Sequence, residues 1–112
     1  MNQTINFTDI AKVEQKGQKG VSFCQTLQFD GLRIRLIELS AGYISDHWYR
    51  KGHIIHCLAG EVINEQYEGA KSIIKQGMSY LVSDDSIAHR TLSKYGARLM
   101  IVDGDFLKMK KD

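Results

Sequence analysis

The chain has 112 residues, of which 43% are hydrophobic and 25% charged, with a formal net charge of +2 at pH 7. Those values suit one compact globular domain and exclude a disordered or fibrous chain. The charge excess is too small and too dispersed for a nucleic-acid surface, and the basic run Lys108, Lys110 and Lys111 reads as a solvated tail.

No stretch approaches the roughly 18 to 20 apolar residues that a membrane helix requires. The start, Asn2-Gln3-Thr4, lacks the basic and apolar regions of a signal peptide, so a cytoplasmic protein without membrane contact is expected. Cys24 and Cys57 sit in apolar runs, where a reduced cysteine acts as a small buried hydrophobe.

Residues 1–15 read as an N-terminal arm or outer strand, with enough apolar side chains over 4–13 to join a sheet. No later segment keeps a capped apolar stripe at helical spacing, whereas strand signals recur throughout. Val21–Phe29 and Leu32–Leu39 are rich in β-formers, and Asp30-Gly31 between them predicts a tight hairpin. Leu32-Arg33-Ile34-Arg35-Leu36 alternates strictly, so both arginines share one face. They either face solvent, or one of them lines the mouth of a pocket and meets an anionic ligand. The phase inverts at Ile37-Glu38-Leu39, which requires a bulge or two buried faces.

Further short strands are predicted at 53–58, 61–67, 71–75, 78–82, 88–93, 97–102 and 106–110. Ala59-Gly60, Glu68-Gly69, Gln76-Gly77, Lys94 to Gly96 and Asp103-Gly104 mark the turns, and the acidic turn Asp84-Asp85 reads as solvated. Short strands at this spacing argue for an all-β antiparallel sandwich or closed barrel in a single domain, residues 1–112.

Histidine usage carries the functional signal: His47, His53 and His56 cluster in one segment and His89 opens a distant strand. Neutral imidazole is the commonest metal ligand, and a barrel can bring ligands from remote strands to one interior point. His53 and Cys57 share one strand face while His56 takes the other, so His53 and His56 do not both point inward without a bulge.

These residues resemble the motifs of the cupin superfamily. Its first motif runs Gly, His-x-His, Glu, Gly; here Gly42, His47, Tyr49, His53 and Gly60 stand in those places, with the register from His47 to Gly60 kept. Tyr49 replaces the second His, His53 replaces the Glu, and the opening gap is one residue short. For the second motif, Gly77, Asp84, Ser86, His89 and Ser93 stand near the usual Gly, Pro, Gly, His and Asn. The segment from Asp46-His47-Trp48-Tyr49 to His53-Ile54-Ile55, the Leu-Arg-Ile-Arg-Leu strand and Gly77-Met78-Ser79-Tyr80 are similar to the small single-domain DHCW motif cupins, although the cysteine expected near Tyr49 is absent.

The resemblance implies a cupin-type (jelly-roll) β-barrel that pairs as a homodimer and takes a small molecule in its interior. It further implies a divalent metal ion (Zn, Fe, Ni or Mn) on His47, His53 and His89, with Tyr49 as a fourth ligand or proton donor and Asp46 as an acceptor for an imidazole N–H. Three neutral ligands would leave the ion free to polarise a bound water or an anionic substrate. The alternative is that the histidines are ordinary hydrogen-bonded interior or rim groups. Three functions follow: a metal-dependent small-molecule enzyme with Tyr49, Asp46 or Glu61 as its acid or base, a non-catalytic small-ligand sensor, or a metal-free structural dimer.

Overall fold

The computed structural model describes residues 2–107. The basic run Lys108, Lys110 and Lys111 lies outside them, and the part of the expected last strand that lies inside forms a 3-10 turn, Asp105–Leu107. After a first 3-10 turn, Phe7–Asp9, the chain forms β1 (Val13–Lys16), β2 (Val21–Phe29), β3 (Leu32–Leu39), β4 (Tyr43–Ile44), β5 (His53–Gln66), β6 (Lys71–Lys75), β7 (Ser79–Val82), β8 (His89–Ser93) and β9 (Ala97–Gly104). No helix among the described residues is long and apolar enough to cross a membrane.

Every strand pairing is antiparallel, in the order β1-β2-β3-β9-β5-β8-β4, with β6 and β7 also paired to β5. The sheet curls into a half-barrel because β5 serves two sheets. Residues 53–56 pair with β7 and residues 54–60 with β9, whereas residues 61–65 pair with β6 and residues 63–66 with β8. The change of sheet occurs at a register shift between Cys57 and Ala59. Ala59-Gly60, expected as a turn between two strands, therefore lies within one long strand, directly after a bulge at Leu58. Gly60 suits that place, with φ at 76° and a Cβ that would lie 2.4 Å from the carbonyl oxygen of Gly96. The extra residue inverts the phase: Ile55 and Cys57 are buried before the bulge, Val62 and Asn64 after it.

The hairpin between β2 and β3 turns at Asp30-Gly31 with Gly31 at φ 70°, as the dipeptide predicts. On β3 the registers with β2 and β9 run without a shift, so no bulge resolves the phase inversion. Both faces carry apolar side chains instead. Arg33, Arg35, Ile37 and Leu39 point into the barrel, opposite Asp103, Ile101, Leu99 and Ala97 of β9. The arginines thus line the cavity side of the strand, half-buried, instead of the outer face.

Leu39, Ile55, Val62, Ile74, Leu99 and Ile101 form the buried core, and each such side chain contributes about 1.5 to 3 kcal/mol of transfer free energy. The opposite face of the larger sheet carries a row in which Leu27 pairs with Ile34, Ile34 with Val102, Val102 with Ile54 and Ile54 with Leu81. Its end, Leu81, is 66% exposed. At the N-terminus the outer strand is Val13–Lys16, later in the chain than the expected 4–13 segment. Residues before it lie as an arm, held by Gln25 Nε2 donating to the carbonyls of Phe7 and Ile10.

Candidate functional site

The curl of the sheet encloses a cavity of about 140 Å³. Its floor is apolar, made by Ile37, Leu39, Leu99 and Ile101 from the inward faces of β3 and β9. One wall is charged and polar, made by Arg33, Arg35, Asp103 and His53, and its mouth carries Tyr49 and Lys51. Strand alternation explains this layout. Arg33 and Asp103 are cross-strand partners, Arg35 lies one inward position further along, and His53 is the first inward residue of β5.

The loop before His53 is clamped in place. Gly52 donates its N–H to Asp84 Oδ1 at 2.7 Å, and Asp85 donates its N–H to the Arg50 carbonyl at 3.1 Å. A Cβ at Gly52 would lie 2.4 Å from the carbonyl oxygen of Val82, so only glycine fits. The acidic turn expected to be merely solvated is therefore a latch that sets where His53 enters the barrel.

The three histidines proposed from sequence do not meet at one point. His53 and His89 do: their ring centroids are 4.9 Å apart and nearly perpendicular, and both side chains are buried. His47 stands apart, its side chain 67% exposed and its Nδ1 donating to Asp46 Oδ1 at 2.6 Å. The expected Asp46 acceptor is thus present, but on the surface. The physical reason is local: β4 ends at Ile44, and residues 45–52 form a loop at the rim in which strand alternation no longer dictates direction. Tyr49 is held to β8 by reciprocal backbone bonds with His89, 2.7 and 2.8 Å, which carries its ring to the cavity mouth. His56 faces outward and bonds Ser79 Oγ at 2.7 Å. Asp46 and Glu61 do not line the cavity.

Burial pushes the His53 imidazole down to about 4, with repulsion from His89 and the two arginines adding to it. Burial lowers His89 too, partly opposed by the Ile87 carbonyl. That carbonyl can only accept, so His89 Nδ1, at 3.3 Å, carries the proton and Nε2 presents a lone pair. Neither His53 Nε2 nor His89 Nε2 has a hydrogen-bond partner within the protein.

Asp103 is the residue that the sequence reading missed, having been taken for part of a turn. Its carboxylate, 4% exposed, accepts from Arg33 Nε at 3.1 Å, from Arg33 Nη2 at 2.8 Å and from Arg35 Nη2 at 3.1 Å. Burial pushes the carboxyl up, but the hydrogen bonds and charge of Arg33, with Arg35 and Lys51 adding to them, hold it below the usual range. The available signal was the inward phase of β9, which places Asp103 on the same face as Ala97, Leu99 and Ile101. An acid on an apolar strand face needs a buried partner.

Among the described residues no group of three or more His, Cys, Asp or Glu side chains is placed to hold a metal ion. His53 and His89 offer two imidazoles, His47 is outside, and Asp103 is committed to guanidinium groups. The positive charge of Arg35 and Arg33, which disfavours protonation of His53, would equally oppose a divalent cation there. The residues present do not fit the three-imidazole ion that the motif resemblance implied. Buried Cys57 packs in the core with its thiol pushed up by burial, and both cysteines are free.

No family model matches the chain, and no curated protein matches it. Solved structures do. The polyketide cyclase RemF from Streptomyces resistomycificus superposes with a TM-score of 0.74 at 17% identity, covering 93% of this chain and 80% of that one. Ectoine synthase from P. lautus gives 0.71 at 18% identity, covering 97% of this chain and 80% of that one. An RmlC-like cupin from Shewanella frigidimarina gives 0.70 at 18% identity, covering 93% and 91%. These likenesses do not reach the narrower DHCW motif family. At such identities they show the fold alone, a curled antiparallel half-barrel of the cupin (jelly-roll) type.

Proposed function

We propose that the barrel interior is a binding site for a small organic molecule, and that this is the function of the chain. The observation that carries the reading is a cavity with an apolar floor on one side and, in its wall, a buried imidazole whose Nε2 lacks a protein partner. Buried polar atoms are almost always satisfied, so an unpartnered one beside a cavity marks where a ligand supplies the missing bond. A cavity of about 140 Å³ accommodates a benzene-sized body, with anything larger extending through the mouth.

The names of two similar structures, an ectoine synthase and a polyketide cyclase, support small-molecule chemistry in such an interior. Tyr49 at the mouth is the group proposed to exchange a proton with the bound molecule, since its ring is both half-exposed and part of the cavity lining. No step in this reading passes through a metal ion.

The test is ligand-observed NMR with a library of small metabolite-like molecules on the wild-type chain and on His53→Phe, whose ring fills the wall. The reading expects hits on the wild type that disappear in the variant. Hits that bind His53→Phe as tightly as the wild type show that the unpartnered imidazole does not meet the ligand, and overturn the reading. Homodimer formation is a second, separate proposal, supported by the apolar row that ends at exposed Leu81. A second copy of the same sheet face would cover that row.

A further inference from the structure

The cavity's charges do not balance. Arg33, Arg35 and Lys51 line it, and among the described residues that do so Asp103 is the one carboxylate. Asp103 is matched to Arg33 by two hydrogen bonds from the Nε and Nη2 edge, the fork geometry that guanidinium and carboxylate share. Arg35 receives only what is left, a single bond from Nη2 to an Asp103 oxygen that Arg33 already uses. Its Nε is buried with no acceptor in the protein. Burial and the nearby Arg33 charge both act against the Arg35 cation, although a guanidinium does not lose its proton in a protein. A mostly buried guanidinium with one shared acceptor is an uncompensated charge, and such a charge calls for an anion.

We propose that the cavity selects small oxyanions, carboxylates or phosphate monoesters, and that Arg35 is the residue that grips them. This rests on the interior being a small-molecule site and adds the chemical class of the molecule. Arg33, held by Asp103, positions Arg35 by occupying the carboxylate that would otherwise neutralise it. Lys51 adds long-range attraction at the mouth, where it is exposed. His53 is neutral at ordinary pH and offers its unpartnered Nε2 to the same ligand or to a group attached to it. The apolar floor of Ile37 and Leu99 receives the body of the molecule. The same charges that suit an oxyanion oppose a metal cation, and among the described residues no three-ligand cluster is placed to hold one.

The experiment is isothermal titration calorimetry with benzoate, its neutral isostere benzamide and inorganic phosphate, on the wild-type chain, Arg35→Gln, Arg35→Lys and Lys51→Gln. His56→Gln, altered on the outer face, is the control, and circular dichroism checks that each variant folds. Benzoate is expected to bind at least about tenfold more tightly than benzamide. Arg35→Gln removes about tenfold or more of the benzoate affinity, while Arg35→Lys recovers only part because it lacks the fork. Lys51→Gln, at an exposed position, weakens benzoate and phosphate a few-fold without affecting benzamide, so the proposal stays testable even where an Arg35 variant misfolds. Equal binding of benzoate and benzamide, unchanged in Arg35→Gln and Lys51→Gln, overturns the oxyanion assignment and leaves the interior site standing. No binding of any probe at millimolar concentration also overturns the oxyanion assignment, and the interior site then stands or falls on the library experiment.

Discussion

Arg33 and Asp103 lie 70 residues apart in the chain, yet they face each other across β3 and β9 and share two hydrogen bonds, 3.1 and 2.8 Å long. The pair ties the two strands that form the cavity floor, and its carboxylate is the only negative charge that the described lining sets against Arg33, Arg35 and Lys51. Asp103→Asn removes that charge while keeping the shape, leaving the guanidinium groups of Arg33 and Arg35 to repel each other. With Asp103 buried but Arg33 about a third exposed, the expected loss is about 2 kcal/mol of unfolding free energy, between the values of an exposed and a buried ion pair. Urea denaturation of the two proteins at neutral pH measures it, and a loss below about 1 kcal/mol would mean that the network is not structural.

Acid should weaken the fold before ordinary carboxylates titrate. His53 has an unfolded value near 6.5 and is pushed down to about 4 in the folded chain, so below pH 6.5 the unfolded state binds the extra proton. The stabilisation from keeping this imidazole neutral is fully present above pH 6.5 and is lost progressively as pH falls toward 4. Two and a half pH units correspond to about 3 kcal/mol. His89 is shifted in the same direction and adds to the loss. Asp103, held below its ordinary value, contributes its loss only at lower pH, so the two effects separate. Unfolding midpoints measured between pH 7.5 and 4 should slope steeply in the wild type and less in His53→Phe; parallel slopes would remove His53 as the cause.

Chelation should matter little. With two buried imidazoles, an outlying His47 and cationic neighbours, the donor set among the described residues lacks a third ligand for an ion. Exhaustive dialysis against EDTA is expected to shift the thermal midpoint by less than about 1 °C, because a lost tight ligand would otherwise remove kcal/mol of stability. A fall of several degrees, restored by zinc, iron(II), nickel or manganese, would show instead that the loop carrying His47 closes onto His53 and His89. The His47→Ala variant distinguishes that closure from a two-ligand site.

The outward row from Leu27 to Leu81 predicts self-association. Leu81→Asp places a charge at its exposed end, on a strand whose neighbours, half-buried Tyr80 and buried Val82, point the other way, and so should not disturb the core. Light scattering is expected to give a dimer for the wild type and a monomer for the variant, with unchanged circular dichroism. A wild-type monomer at high concentration would leave the row as ordinary surface.

Much of the architecture was legible in order along the chain. The hairpin at Asp30-Gly31 and most strands follow from alternation and turn chemistry, which are local, and closure of many short strands into a barrel follows from the need to bury one face of each. The bend in β5 was not legible, since Ala59-Gly60 is chemically as suited to a turn as to a bulged strand and only its partners β9 and β8 distinguish the two.

The candidate site divides in the same way. Most of the candidate residues stood out by type alone: scarce histidines, and two arginines in strict alternation on an apolar strand. Which way they point was not. Both faces of β3 carry apolar residues, three of four on one and two of four on the other, so local pattern could not say that Arg33 and Arg35 look into the barrel, and Asp103 gained its meaning only when β9 was laid against β3. His47 and His53 are six places apart, yet one sits on a rim loop with a 67% exposed side chain and the other on a strand that enters the core. Residue type sets what a side chain can donate, accept or charge; direction and company are properties of the packed strands, because long-range pairing alone decides which charges share one low-dielectric space.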